Sequence, residues 1–341
     1  MWVKGEIFRD FADAEGIAKG SLDRTNQKSL FDRLDWFRRT WAHCQPGDRP
    51  LIVRARADRS DAWLFLAESN NAAKGLASWY TLAFRPVFSG MPSEATARAL
   101  IVAIARRLRP RLAHIVLDHV PEGEADMIVA GFTRAGWIAR ATPQTANWSI
   151  DVSDKNFEAF WAARPSQLRS TAKRKAAKTQ VEMTIYDCFD ETAWADYESI
   201  YADSWKPEEG SLSFVRSMAE DEGAAGALRL GIATLEGRAV AAQLWTVDHG
   251  MAIIHKLAHR QDVTEFSPGT MLSKVMFEHV IDHDRVSVID FGTGDDAYKA
   301  DWMEVRVMRM RVELHNPRKL AGLIGAAKAR LRALAARTPN R

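Results

Sequence analysis

Between Val286 and Lys299 the sequence runs VSVIDFGTGDDAYK. A buried-strand pattern of Val286, Val288 and Ile289 delivers Asp290 at its end. A Gly-Thr-Gly loop then leads to Asp295, Asp296, Tyr298 and Lys299. Ionisable groups bunched this closely are costly without a use, and the chemistry they offer is proton transfer. Asp290 or Asp295 can take a proton from a reacting amine, directly or through water, and Tyr298 can return one to a leaving group. Lys299 can neutralise the acids or hold a phosphate. His255, on an earlier strand, is a third candidate base. Upstream, SPGTM at 267–271 opens a helix. Pro268 suits a first helical position, and Gly269 lets a backbone approach a ligand closely. The free N–H groups of Gly269, Thr270 and Met271, with Ser267 at the turn and the helix dipole, make an anion site suited to a pyrophosphate. The plain alternatives are ordinary helix capping, and a buried ion network of Asp290, Asp295 and Lys299 that only shapes the loop.

Other readings of these residues are weaker. GTGDDA matches G-x-G-x-x-A, and VIDFGTG resembles the first motif of methyltransferases. A nucleotide fingerprint needs a helix directly after its glycines, and Asp295 and Asp296 would face the pyrophosphate. An EF-hand would have glycine at its third and fifth positions. His279 and His283 lie four apart on a helix but have no third ligand at a recognisable spacing, so no metal is expected. There is no G-x-S-x-G elbow for a serine nucleophile.

The elements that position these residues read as two α/β halves. Leu30, Leu34, Phe37 and Trp41 have helical spacing. Strands follow at 51–57 and 62–69, with a third apolar stretch at 78–88. A helix at 94–109 has Ser93 as its N-cap, and a strand at 114–120 precedes a helix at 123–135 stopped by Gly136. WIARAT and NWSIDV read as two short strands. Residues 156–180 form a basic helix with Arg164, Arg169, Lys173, Arg174, Lys175 and Lys178: either a solvated face or an anion contact. A strand at 181–189 precedes a helix whose Trp194, Tyr197, Ile200, Tyr201 and Trp205 form an aromatic stripe, read first as core. Three strands then join through the turns Glu236-Gly237-Arg238 and Asp248-His249-Gly250, both hairpin signals. VRVMRMRVEL at 305–314 is a last strand. The tail puts Leu320, Leu323, Ile324, Ala327, Leu331 and Leu334 on one face, with Lys319, Lys328, Arg330, Arg332 and Arg337 over the rest. Such a helix can pack on the body or lie on an anionic membrane surface. The element order gives domains at 1–152 and 153–316, with a basic amphipathic helix at 317–341.

The totals bound the rest. A chain of 341 residues suits two domains. Hydrophobic residues at 47% and charged residues at 27% are those of a globular protein, so disorder is not the default, and a net charge of +3 does not call for nucleic acid. Cys44 and Cys188 stand far apart, which fits a reducing compartment. No secretory signal and no apolar run long enough to span a membrane is present. The expected location is the cytoplasm, with peripheral contact on the inner membrane through the tail.

The segments HKLAHR, FSPGTMLSKVMFEHVI and VIDFGTGDDAYKADWM together resemble the C-terminal signature of the acetyltransferase domain in CelD/BcsL-like proteins, GNAT-superfamily members related to FemAB transferases. LRSTAKRKAAK is similar to that family's basic helix. The resemblance covers about 155–305 clearly and 20–150 faintly. It implies mixed α/β sheets in tandem GNAT-like domains of FemAB-like architecture, with the donor in the second. It implies that Ser267, Pro268, Gly269, Thr270 and Met271 form the acyl-CoA pyrophosphate loop. Asp290, Gly292, Asp295, Tyr298 and Lys299 match the family's Asp-Phe-Gly-x-Gly-Asp-x-x-Tyr-Lys motif. The loop departs from the ordinary GNAT pattern Gln/Arg-x-x-Gly-x-Gly/Ala, which leaves acetyl-CoA, a long-chain acyl-CoA or an aminoacyl-tRNA as donor. The expected reaction is acyl transfer from a CoA thioester to an amine, with oxyanion donors from backbone N–H groups at 244–246. Two alternatives are an aminoacyl-tRNA-dependent transferase and a non-catalytic membrane-associated partner in envelope or polysaccharide assembly.

Overall fold

The computed structural model of the chain describes residues 3–178 and 181–335. The chain forms two compact units, one of residues up to Thr145 and again from Met308, the other Ala146–Val307. The expected divisions at 152 and 316 differ from these chiefly in placing the last strand with the second unit. Thr179, Gln180 and Arg337 lie outside the described residues, as does the side chain of Leu334.

The first unit contains β1 (Lys4–Phe8), α1 (Phe11–Ala18), α2 (Leu34–Cys44), β2 (Arg49–Ala57), β3 (Ser60–Ser69) and β4 (Ala72–Gly75). It continues with β5 (Val87–Ser89), α3 (Glu94–Leu108), β6 (His114–Pro121) and α4 (Glu122–Arg134). A long strand, β7 (Ile138–Asp151), leads into the second unit. There follow α5 (Phe157–Ala162), α6 (Ser166–Lys178), β8 (Glu182–Tyr186), α7 (Glu191–Ala202) and α8 (Leu212–Ala224). Next are β9 (Leu228–Leu235), β10 (Arg238–Asp248), β11 (Met251–His259), α9 (Pro268–Glu278) and β12 (Val288–Thr293). Then β13 (Val305–His315) returns to the first unit, followed by α10 (Leu320–Ala335).

Each unit has the same strand plan. In the first, β1, β2, β3 and β4 are antiparallel neighbours, β6 joins β4 in parallel, and β13 closes against β6 in antiparallel. In the second, β8, β9, β10 and β11 are antiparallel, β12 joins β11 in parallel, and β7 closes against β12 in antiparallel. The tandem reading, drawn from element order and from the resemblance, has a matching topology. The internal parallel junction forces a crossover, and α9 supplies it between β11 and β12.

Several local expectations hold for simple reasons. Ser93 Oγ accepts from Thr96 N and starts α3, and Gly136 at φ +83° ends α4. Glu236, Gly237, His249 and Gly250 all have positive φ, as two-residue hairpin turns require. Others are corrected. The stretch 78–88 is mostly a turn, with only Val87–Ser89 in a strand, because Ser78 O accepts from Thr81 N. WIARAT and NWSIDV belong to one fourteen-residue strand. Pro165 splits the basic helix into α5 and α6. Strands β1 and β4 carry little sequence signal.

One core cluster of the second unit gathers around Phe277 of α9. That ring stacks on Phe160 at 5.1 Å and Trp302 at 4.7 Å, and meets Trp245 edge-on at 5.1 Å. No helix among the described residues is long and apolar enough to cross a membrane. Because Phe277 is fully buried among three aromatic partners, Phe277→Ala should destabilise the protein by about 3–5 kcal/mol in urea unfolding. A loss below about 1 kcal/mol would mean that the core closes around the gap.

Candidate functional site

The site begins where β11 and β12 part. They pair in parallel over three positions: Met251 with Val288, Ala252 with Ile289, Ile253 with Asp290. Just beyond, both strands carry an extra residue. Leu244 of β10 pairs with Lys256 and Trp245 with Ile254, which leaves His255 as a bulge on β11. Asp290 pairs with Ser149 and Gly292 with Trp148, which leaves Phe291 as a bulge on β12. Bulges bend their strands. From Ile254 to His259, β11 keeps β10 on one side and, among the described residues, has no strand on the other. Its backbone donors and acceptors on that open side suit an extended ligand that carries amides.

At the far end of this edge lies the start of α9. Ser267 is left-handed (φ 54°) and its side chain makes no cap bond, Pro268 stands in the first turn, and the first turn holds no acid. Met271 N donates to Ser267 O at 3.2 Å, while the N–H groups of Gly269 and Thr270 have no backbone partner among the described residues. Gly269 lies against His259, where a Cβ would stand 3.2 Å from Nδ1. The helix start is fixed by Gln243, which sequence reasoning passed over. Its buried amide donates to Gly269 O (3.1 Å) and Ser273 Oγ (2.7 Å) and accepts from Trp245 Nε1 (3.0 Å). The corresponding helix of the first unit, α3, is capped by Ser93 and carries Glu94 in its first turn. The cap and the acid make that start less favourable to an anion.

The acid-rich loop is tied down by its own groups. Asp290 Oδ1 accepts from Gly292 N (2.7 Å) and Asn147 Nδ2 (3.0 Å). Lys299 is buried and donates to Thr293 O (2.6 Å) and Gly292 O (3.4 Å). Burial lowers its pKa, opposed by Asp296. Asp295 lies at the surface, forked to Arg306 by Nε to Oδ1 at 2.9 Å and Nη2 to Oδ2 at 2.5 Å, and that pairing holds its carboxyl below the usual range. Tyr298 is 39% exposed and packs edge-on against Phe291. Burial of its phenol, reinforced by Asp296, pushes the pKa up to about 12. His255 Nε2 lies 2.9 Å from Thr246 Oγ1, and burial, aided by Lys256, pushes its pKa down to about 3.

A cover for this side of β11 comes from the turn after α7. Trp205 packs at a tilt against His259, ring centroids 4.3 Å apart, and is 47% exposed, unlike the rest of the aromatic stripe, which is core. Glu209 pairs with Lys256 at 2.8 Å, both largely buried. Lys206 sits over the Trp205 ring, within electrostatic reach of Asp296 and Lys256. None of these residues has a sequence motif; only the turn-rich DSWKPEEG marks them.

Two sequence readings change here. Leu244–Thr246 runs mid-sheet with strands on both sides, so oxyanion donors from β11's open edge fit better. The basic segment is partly consumed by structure. Buried Arg164 donates to Trp302 O (3.0 Å) and pairs with Glu304, Arg169 donates to Arg164 O (3.1 Å), and Lys175 donates to Glu265 O. Of the histidines at helical spacing, His279 and His283 stack at 4.6 Å, and the neighbouring Asp284 is forked to Arg229.

Residues 163–300 match the family model described as the acetyltransferase (GNAT) domain. No curated protein matches the chain in sequence. Among solved structures, FemX is similar over 92% of this chain and 97% of its own, with a TM-score of 0.61 at 10% identity. The C-terminal domain of a lysylphosphatidylglycerol synthetase from Agrobacterium fabrum, itself assigned only by resemblance, matches over 94% and 96%, with a TM-score of 0.58 at 12% identity. A tandem GNAT protein from the clavulanic acid biosynthesis pathway matches over 91% and 98%, with a TM-score of 0.53 at 11% identity. The fold is therefore the tandem GNAT fold of FemAB-like proteins.

The His255 environment makes a pH prediction. A depressed histidine pKa means that the neutral ring stabilises the fold above about 6.5. That contribution is lost as pH falls from there towards about 3. In urea unfolding between pH 6.5 and 4, His255→Gln should flatten the decline by up to about 1.4 kcal/mol per pH unit. An unchanged slope would show that the ring protonates freely in the folded protein.

Proposed function

With a GNAT acetyltransferase domain at residues 163–300 as the premise, we propose that the protein is an N-acyltransferase taking an acyl group from acyl-CoA, acetyl or longer, to an amine acceptor. The observation that carries this reading is the parting of β11 from β12 beside a helix start free of cap and acid. The pyrophosphate would rest on the N–H groups at Gly269 and Thr270 in the Ser267–Met271 turn, and the pantetheine amides would run along the open edge of β11. The amine attacks the thioester carbon, a tetrahedral oxyanion forms, and the C–S bond breaks as the amide forms. We assign the base to Asp290, which stands where the strands part and takes the amine's proton directly or through water. Asp295 is less suited because Arg306 lowers its basicity, and His255 is neutral but too weak a base near pH 7. Tyr298, protonated at neutral pH, would give its proton to the leaving thiolate. Lys299 holds the loop. No metal enters the reaction.

The acceptor belongs to envelope, polysaccharide or lipid synthesis in this reading, with the protein cytoplasmic and resting on an anionic inner-membrane surface through residues 317–338. The aminoacyl-tRNA alternative loses support from the engagement of Arg164, Arg169 and Lys175 within the domain, and a nucleic-acid partner is not proposed.

Calorimetric titration with CoA, acetyl-CoA and palmitoyl-CoA should show binding of at least one of them, and silence from all three would sink the proposal. Gly269→Val should weaken that binding at least about tenfold, near 1.4 kcal/mol, with the melting temperature kept. Tyr298→Phe should lower kcat by about a hundredfold with KM nearly unchanged. An unaltered kcat would remove Tyr298 from the mechanism.

A further inference from the structure

Helix α10 packs with its small residues inward and its large apolar ones outward. A Cβ at Gly322 would come within 2.2 Å of Asn316 O, one at Gly325 within 2.8 Å of His315 Nδ1, and Ala329 is buried. On the opposite side, Leu320 (75% exposed), Leu323, Ile324 and Leu331 (66%) face solvent as one stripe at helical spacing. Exposed Lys328, Arg330 and Arg332 flank it, and residues 318–335 contain no acid.

At the head of this helix lies a groove of about 730 Å³ in the first unit. Arg318 and Lys319 line it together with Arg106 and Arg109 from the end of α3 and Arg134 from the end of α4, and no acid lines it. None of the five is in an ion pair among the described residues. Arg109 donates from Nη2 to Gly136 O at 3.0 Å, while its Nε is buried without a partner. Cations at helix C-termini complement the helix dipole, which accounts for Arg106 and Arg134 each on its own helix. It does not account for their meeting Arg318 and Lys319 in one groove beside an exposed apolar stripe.

We propose that this groove binds the headgroup phosphodiester of an anionic phospholipid while the outward stripe of α10 enters the same leaflet. The combination of guanidinium donors and adjacent leucines is what such a surface needs. A free phosphate or a nucleic acid would use the arginines and leave the stripe in water. A second copy of the chain would set two acid-free basic rims against each other. The proposal rests on the membrane part of the reading above and is independent of acyl transfer.

The test is flotation of the full chain with phosphatidylcholine vesicles, with and without phosphatidylglycerol. Binding is expected only to the anionic vesicles. Arg106→Gln with Arg134→Gln should weaken it about 25-fold, about fivefold for each charge near the surface. Leu323→Ser with Ile324→Ser should weaken it comparably, and both double variants should keep the wild-type melting curve by circular dichroism. No vesicle binding overturns the whole membrane reading. Wild-type binding by the arginine variant overturns the headgroup site while leaving the membrane contact. Binding of inorganic phosphate that the arginine variant loses, with vesicle binding unaffected by that phosphate, would assign the groove to a free anion. Oligonucleotide binding lost in the arginine variant would assign it to nucleic acid. A wild-type dimer that the leucine variant turns monomeric would assign the stripe to self-association.

Discussion

Three registered pairs hold β11 to β12, and the site depends on there being no more. A parallel pair that continued would fill the open edge of β11 with the backbone of β12. The pairing stops because both strands bulge at the same level, at His255 and at Phe291. A bulge needs support, since it leaves backbone groups without ladder partners. On β12 that support is visible: Asp290 takes the Gly292 N–H, Asn147 steadies Asp290, and Lys299 takes the carbonyls of Gly292 and Thr293. The ionisable residues that look like a catalytic cluster in the sequence are therefore, in part, the scaffold of a gap. Asp290 braces the point of divergence itself, through Gly292 N and Asn147 Nδ2.

The two units differ in one local detail of a shared plan. Their strand order and their single parallel junction are the same. The helix that follows the junction differs at its first turn. Helix α3 begins with a serine cap and a glutamate, which satisfy donors and oppose an incoming anion. Helix α9 begins with a left-handed serine that caps nothing, then a proline and a glycine. A few residues thus set the two helix starts apart, one capped and acidic, the other uncapped and free of acid, with no change in fold.

Much of this was legible. Hairpin turns, helix caps and the two candidate loops rest on local rules: positive-φ residues, N-cap oxygens, Pro at a helix start. What stayed hidden depends on partners far along the chain. Gln243 reads as one polar residue in an apolar strand, and only the placement of α9 shows that it pins Gly269. Glu209 and Lys206 read as part of a solvated turn until that turn lies over Lys256 and His259. Strand β4 is two alanines, a lysine and a glycine, too short for alternation to be read, and β7 looks like two strands because polar residues interrupt its middle. The apolar face of α10 was visible, but its direction was not. Sequence periodicity says that a face exists, and here the glycines on the other side decide which one packs.

The exchange of closing strands has a consequence for how the protein is made. Strand β6 is the inner neighbour of β13, yet β13 emerges from the ribosome only after the whole second unit. At ordinary rates of synthesis the first sheet waits roughly ten to thirty seconds for its last strand. Through that interval β6 presents a bare hydrogen-bonding edge, HIVLDHV, of the kind that recruits foreign strands. The second unit has no such delay, since β7 is already at hand when β12 appears. The domain that carries the site can therefore close first, and the N-terminal one, though begun earlier, finishes last.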